Sequence, residues 1–251
     1  MYPSSLKHWC EKPEFEELPV DGDFYWNWRD VHFLPYLWLE KKDVPALPTP
    51  FFVWDMHPDS PVGFESDAAD ALTNIIALAQ SFDALGMDAD LRKDLRRLER
   101  KNENVKLVEN EKGCLRKSAE WFLEFWKEEK ADFERRLLLW EKHARTLGAY
   151  DGKELLGVHI CLDGFGGDAG TTYYLGCWWN RKHKSRSIAT FLLAKDIANA
   201  ISAGKKFYDL GVGDEPYKKQ WGVIERKTKY FARMPRKLAE ELGLKEFEPT
   251  D

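Results

Sequence analysis

Four cations, Arg181, Lys182, Lys184 and Arg186, crowd a short stretch that ends at Ser187 and leads straight into an apolar run from Ile188. That arrangement suits anion binding. A loop feeding a helix start collects unpaired N–H groups and the positive end of the helix dipole, and mobile side-chain charge adds to it. The site suits a pyrophosphate or nucleotide-like donor, and the same residues also suit a solvated basic loop. Gly164, Gly166, Gly167 and Gly170 form a second feature. No Gly-Lys-Ser/Thr closes that run and no helix follows it, so it reads as a mobile connection between strands rather than a phosphate loop. Asp55, His57 and Asp59 have the side-chain types of metal ligands but sit in a Pro-bounded loop with no fourth partner, which favours a structural reading. His159 alternates with Val158 and Ile160, so it reads as a hydrogen-bonded structural histidine on the opposite strand face. No Ser-His-Asp or Cys-His spacing suggests nucleophilic catalysis.

These residues need elements to position them. Leu147 to Leu162 reads as a hairpin turning at Asp151-Gly152, and Thr171 to Trp179 reads as the next strand. A helix follows from Ile188 to Gly204, with Ile188, Phe191, Leu192, Ala198 and Ile201 on its buried face and Ser185 or Ser187 as a cap. Phe207 to Val212 is the last predicted strand, and its alternation separates Asp209 and Gly211 from Leu210 and Val212. Upstream, helical spacing is predicted over Asp67–Leu85, Asp88–Glu103 and Ser118–Leu147. The prolines among the aromatics of Phe24–Trp54 favour short strands or irregular segments there.

The composition is that of a globular chain. In 251 residues, 43% are hydrophobic and 32% charged, with 15 Phe, 11 Trp and 9 Tyr, which excludes disordered, collagenous and coiled-coil classes. One large domain or two small ones fit this length. The most apolar stretch, Ile188 to Ala203, carries Lys195 and Asp196 and is too short to span a bilayer, and Met1 to Phe15 lacks a signal-peptide core. A cytoplasmic location is the expectation. Cys10, Cys114, Cys161 and Cys177 are too scattered for a local disulfide framework or thiolate zinc site, so no metal is expected. Net charge is −5, yet Arg181 to Lys237 holds 15 Lys/Arg against 5 Asp/Glu, which points to an anionic ligand near the C-terminal third.

The order of the C-terminal elements resembles the GNAT acyltransferase fold. More narrowly, it is similar to the acetyltransferase family associated with bacterial cellulose and exopolysaccharide clusters, itself similar to Fem-type aminoacyl transferases. That family follows a helix ending a-x-x-x-G with D-[FL]-G-x-G-x-x-x-Y-K, and Ala200, Gly204, Asp209, Gly211, Gly213, Tyr217 and Lys218 match. The segment Val53 to Pro61 and the basic block Leu91 to Lys101 resemble its first half. The family's Ser-Pro-Gly before the helix is replaced by Ser185-Arg186-Ser187, without the glycine that lets phosphates approach backbone.

The resemblance implies an α+β fold with a GNAT-like mixed, mostly antiparallel sheet and flanking helices. It implies an abbreviated N-terminal GNAT-like region over residues 1–117 and an acyltransferase domain over 118–251. It also implies a cleft where the strand ending near Trp178 splays from Phe207–Val212, and acyl transfer from acyl-CoA, such as acetyl-CoA, to an amine or hydroxyl of a small molecule, polysaccharide or peptide. Asp209, Asp214 or Glu215 would act as base, Tyr208 or Tyr217 as acid, and Lys218 would bind an anionic group. Backbone at Leu175 to Cys177 would stabilise the oxyanion, and Cys177, Arg181, Lys182, Lys184, Arg186 and Ser187 would hold the donor. Two alternatives stand beside this reading. One is a Fem-type transferase using aminoacyl-tRNA, and the other is a catalytically degenerate GNAT-like binding protein.

Overall fold

The computed structural model describes residues 15–20, 23–28, 38–47, 51–64, 72–126, 130–164, 166–233, 237 and 240. The chain divides into two compact units, one of residues 1–73, 165–168 and 225–251, the other of residues 74–164 and 169–224. The expected boundary at 117/118 falls within the second unit and inside a helix. Cys10 and the aromatics at 33 and 36 lie outside the described residues.

The first unit carries a four-stranded sheet. Its strands β1 (Phe15–Val20), β2 (Asp23–Trp28) and β3 (Phe51–Met56) come from the N-terminal part, and β11 (Lys229–Arg233) closes the order β1-β2-β3-β11. Strands with prolines in the intervening segments are what the aromatic stretch predicts. A 3-10 turn at Gly166–Asp168 belongs to this unit, and a Cβ on Gly167 would stand 2.4 Å from the Trp38 ring. The glycine is there for close packing, which corrects the expectation of a merely mobile connection.

His57 and Asp59 are also structural here. Asp59 pairs with Arg226, and its backbone N–H donates to His57 Nδ1 at 3.0 Å. Burial pushes His57 down to about 4, against the pull of Asp59 and with help from Arg226 and Lys229. Its folded pKa is below its unfolded value, so its contribution is complete above about pH 6.5 and is lost as pH falls through about 4. The expected loss over that window is on the order of 3 kcal/mol. Unfolding free energy against pH checks this, and His57→Asn, which keeps an acceptor for Asp59, should flatten the curve; an unchanged slope would refute the assignment.

A seven-stranded sheet underlies the second unit, with strands β4 (Leu72–Ala77), β5 (Lys106–Glu109), β6 (Arg145–Asp151), β7 (Glu154–Asp163), β8 (Thr171–Trp179), β9 (Phe207–Val212) and β10 (Ile224–Lys227). The order is β10-β4-β9-β8-β7-β6-β5. β5 to β8 pair antiparallel, and β8 pairs parallel with β9. This is the mixed, mostly antiparallel sheet the sequence predicts. The β6–β7 turn is shifted by one residue from expectation, because Asp151 pairs with Glu154 and Gly152 takes φ +58°.

Helices cover both faces. Helix α1 (Ala89–Lys101) buries only Leu91, Leu95 and Leu98, the thin stripe its sequence shows. Helices α2 (Cys114–Trp126) and α3 (Lys130–His143) pack Phe122, Phe133, Leu137 and Trp140 on Val158, Ile160 and Trp178. Helix α4 (Ile188–Ser202) lies on the other face with α1, over Tyr208 and Leu210.

Two helix expectations are corrected. Ser118–Leu147 is two helices, stacked through Phe122 and Phe133 at 4.8 Å, and its last residues enter β6. Over the described part of Asp67–Leu85, Leu72–Ala77 is a strand with four consecutive buried residues. Leu72, Ile75, Ile76 and Ala79 satisfy helical spacing, but Thr73, Ile75 and Ile76 are β-branched and the vacant flank of β9 supplies ladder partners, so tertiary pairing overrides the periodicity.

Candidate active site

The parallel pairing of β8 and β9 is short. Thr171 faces Phe207, Thr172 faces Tyr208 and Tyr173 faces Asp209, after which no further pairs form although both strands continue. The strands therefore part at Tyr174. Immediately beyond, β8 carries a bulge, because Cys161 pairs with Tyr174 and Ile160 with Gly176, leaving Leu175 without a cross-strand partner. Plain alternation would put Tyr174 and Cys177 on opposite faces. The extra residue brings both to the α4 side, where Tyr174 joins the cluster of Leu193, Ile197 and Tyr208, and Cys177 joins that of Ile188 and Leu192.

The segment after β9 explains the spacing of the D-x-G-x-G-x-x-x-Y-K motif. Asp209 is 1% exposed and its Oδ1 accepts from Gly211 N at 2.7 Å. Gly211 and Gly213 take φ +78° and +118°, backbone that favours glycine. Lys218, at the end of the short helix α5 (Pro216–Lys219), is 3% exposed. Its Nζ donates to Gly211 O at 3.2 Å and Val212 O at 2.7 Å and pairs with Glu215 Oε2 at 2.8 Å. From β4, Asn74 Nδ2 donates to Gly211 O at 3.0 Å and Gly213 O at 2.6 Å. Three side chains thus hold one loop, and Asn74 is a residue that sequence reasoning missed. Its only sequence signal is a polar residue at a buried position next to Ile75 and Ile76.

Of the three residues expected to be catalytic, Tyr217 hydrogen-bonds Tyr174, the residue at which β8 and β9 part. It is 39% exposed and is pushed up to about 12 by burial and then by Glu215. Tyr174 is driven far above the ordinary tyrosine range by burial, with Cys177, Tyr217 and Glu215 adding. The Cys177 thiol is likewise raised by burial. Asp209 and Lys218 are directed at loop backbone. Tyr208 is fully buried and donates to Asp196 Oδ2 at 2.7 Å beneath α4, which removes it from the candidates for the acid. Asp214 and Glu215 are exposed at the loop, and Glu215 is held below the usual carboxylate range by Lys218 against the effect of its burial.

The cationic loop is a 3-10 segment, Arg181–Arg186, started by Asn180, whose Oδ1 accepts from Lys182 N at 3.1 Å. Ser187 stands at the N-cap of α4 with φ +49° and ψ +47° and no side-chain cap. It adopts the left-handed conformation that glycine takes at such junctions, so the missing loop glycine does not prevent the turn. Arg186 pairs with Asp151 at 2.8 Å and His183 with Glu154 at 2.9 Å, both on the β6–β7 hairpin. From the end of α1, Lys101 donates to Ser185 O at 2.7 Å and Asn102 to Arg186 O at 3.1 Å. Arg181, Lys182 and Lys184 remain exposed at the helix start. The loop is therefore braced from two sides, and neither brace was legible in the spacing.

Among the described residues, one group has metal-ligand chemistry: His159, Cys161 and Asp196, with ligand atoms within 4.8 Å of one another. The Arg145 guanidinium binds Asp196 Oδ1 and the Tyr208 hydroxyl binds Oδ2, so this carboxylate is already neutralised. A second cation there would face Arg145. Among the described residues, no helix is long and apolar enough to cross a membrane.

The family model for the acetyltransferase (GNAT) domain matches residues 89–219, from α1 through α5. No curated protein sequence matches the chain. Solved structures share the fold at low identity. FemX aligns with a TM-score of 0.60 and 11% identity, over 96% of this chain and 92% of its own. The C-terminal domain of a putative lysylphosphatidylglycerol synthetase from Agrobacterium fabrum aligns at 0.57 and 10% identity, over 97% and 86%. L-PGS from Bacillus licheniformis aligns at 0.56 and 13% identity, over 94% and 83%.

Proposed function

The chain belongs to the acetyltransferase (GNAT) domain family, and on that premise we propose that it transfers an acyl group from an acyl-CoA thioester, in the β8/β9 split, to an amine or hydroxyl acceptor. The observation that carries the reading is the pairing of β8 and β9 that ends at Tyr173 and Asp209, followed at once by the Leu175 bulge. A bulged strand leaves backbone N–H free to meet a developing oxyanion.

In this reading the acceptor nucleophile attacks the thioester carbonyl, its negative charge meets the backbone at Leu175 to Cys177, and the C–S bond then breaks. The Tyr217 hydroxyl, kept protonated by its raised pKa, donates its proton to the leaving thiolate. The acceptor's proton leaves through water to Asp214 or Glu215 at the mouth. Asp209, Lys218 and Asn74 hold the loop that carries these groups. The exposed Arg181, Lys182 and Lys184, with the α4 N-terminus, receive the donor's phosphates, while Arg186 and Ser187 set the shape of the loop and Cys177 lines the sulfur end. The family resemblance extends the acceptor to cell-envelope or polysaccharide chemistry, and the N-terminal part to an abbreviated second GNAT-like module.

An aminoacyl-tRNA donor is the second reading. It is favoured by the cations of α1, Arg92, Lys93, Arg96, Arg97, Arg100 and Lys101, which lead into the loop through the Lys101 contact with Ser185. Thermal-shift titration with acetyl-CoA, longer acyl-CoAs and aminoacyl-tRNA separates these cases. A ligand at 100 times its Kd should stabilise the chain by about 2.7 kcal/mol. Replacing Lys182, Lys184 and Arg186 together by Ala should weaken the acyl-CoA shift, through lost phosphate contacts at Lys182 and Lys184 and a loosened loop at Arg186. A shift produced only by aminoacyl-tRNA, and steeply weakened by salt, would replace the acyl-CoA reading. No shift with any of them would favour a degenerate binding module.

A further inference from the structure

A buried polar chain runs beneath α4 at the point where β8 and β9 part. Arg145 on β6 binds Asp196 on α4, whose Oδ2 accepts from the Tyr208 hydroxyl on β9 at 2.7 Å. Tyr208 has one proton and gives it to Asp196, so its oxygen accepts from His159 Nε2 on β7 at 2.8 Å. His159 Nε2 also stands 3.3 Å from Asp196 Oδ2, and Nδ1 has no hydrogen-bond partner among the described residues. This pattern assigns the Nε2–H tautomer to His159.

Asp196, His159 and Tyr208 have no exposed surface. Burial alone would raise the Asp196 carboxyl, but His159 and Arg145 hold it below the usual carboxylate range. Arg145 Nε reaches Asp163 Oδ2 at 3.4 Å, and Asp163 Oδ1 accepts from Thr172 on β8 at 2.8 Å. Thr172 and Tyr208 are register partners in the last paired stretch. The chain therefore ties together β6, β7, β8, β9 and α4 at one level.

Its outward end is a ring. The His159 imidazole stacks on Tyr174 with centroids 5.0 Å apart and planes at 27°. Tyr174, the register partner of Cys161, lies on the His159 face by plain alternation, the bulge at Leu175 brings Cys177 onto the same face, and Tyr217, hydrogen-bonded to Tyr174, and Glu215 complete the groups around it. We propose that the Arg145–Asp196–Tyr208–His159 chain is a positioning device that fixes the His159 ring as a plate under Tyr174, and through Tyr174 sets where the Tyr217 hydroxyl stands in the cleft. His159 is then a positioning residue with no contact to substrate. The inference rests on the reading of Tyr217 as the acid, yet its first test is independent of turnover.

The test uses the full chain carrying ring-labelled tyrosine, with the Tyr174 NMR signal assigned by its loss in Tyr174→Phe. His159→Gln retains a donor for Tyr208 but removes the plate, and should move the Tyr174 signal. His159→Phe retains the plate without the hydrogen bond and should leave that signal closer to its original position. Tyr208→Phe, which leaves every ring in place but frees His159, is the second route if a His159 variant does not fold, and it should broaden or move the signal. With an identified donor, His159→Gln should lower kcat by at least ~10-fold while the donor KM changes less than about threefold, and His159→Phe should recover part of it. An unmoved Tyr174 signal in both His159→Gln and Tyr208→Phe overturns the positioning role. Wild-type turnover in Tyr217→Phe would instead remove the acid assignment, and the Tyr174 signal would still decide the present inference.

Discussion

Replacing Asp196 by Ala should cost the fold about 3–5 kcal/mol, the largest stability effect expected of any single change in the second unit. The carboxylate is fully buried, and its loss would leave the Arg145 guanidinium and the Tyr208 hydroxyl without their shared acceptor. Arg145 keeps only its longer contact with Asp163 at 3.4 Å and the buried Tyr208 hydroxyl keeps no acceptor, and breaking such a buried pair is far more costly than the pair was stabilising. Asp196→Asn should cost less, because an amide oxygen still accepts from Tyr208. Urea unfolding of both variants at neutral pH checks the order, and a loss below about 1 kcal/mol in Asp196→Ala would refute the account. The pH dependence follows from the sign of the shift. The folded carboxyl lies below its unfolded value, so the stabilisation is complete above the unfolded carboxylate pKa and is lost as pH falls through the folded one.

The second large effect concerns turnover. Tyr217→Phe should cut kcat by ~10²-fold with only a small change in melting temperature, since it keeps the ring of this partly exposed residue and removes a single hydrogen bond, to Tyr174. Lys218→Ala should behave in the opposite way. Its ammonium serves Gly211 O, Val212 O and Glu215 while 3% exposed, so its removal should destabilise by on the order of 2–4 kcal/mol and loosen the loop. Asp209→Asn keeps an amide oxygen for the Gly211 N–H and should stay near wild type in both measurements. Turnover and melting temperature measured for the three variants with the same donor decide the matter. A ~10²-fold loss in Asp209→Asn without loss of stability would return Asp209 to the role of base.

Much of this protein is legible locally. Alternation identified β8 and β9 to their end residues, the Asp-Gly hairpin was found within one residue, and the three-leucine stripe of α1 marked a helix that is mostly solvated. The D-x-G-x-G-x-x-x-Y-K run, marked by its family resemblance, is the loop that Asp209, Lys218 and Asn74 hold. Such features depend on period, turn chemistry and near neighbours, which the order of residues contains.

What could not be read depends on partners far apart in the chain. Leu72–Ala77 has a helix's apolar spacing and becomes a strand because β9 offers it a free edge. Asp209 and Lys218 have the side-chain types of catalytic groups, and their contacts with Gly211, Val212 and Glu215 are visible only in the fold. Asp196 sits eight residues after Ile188 on the buried face of α4, a carboxylate where an apolar residue belongs, and that anomaly was its only signal. Its meaning required Arg145, His159 and Tyr208, brought from three strands, because a buried charge is stable only beside an opposite charge and donors that its own neighbourhood in the sequence does not supply.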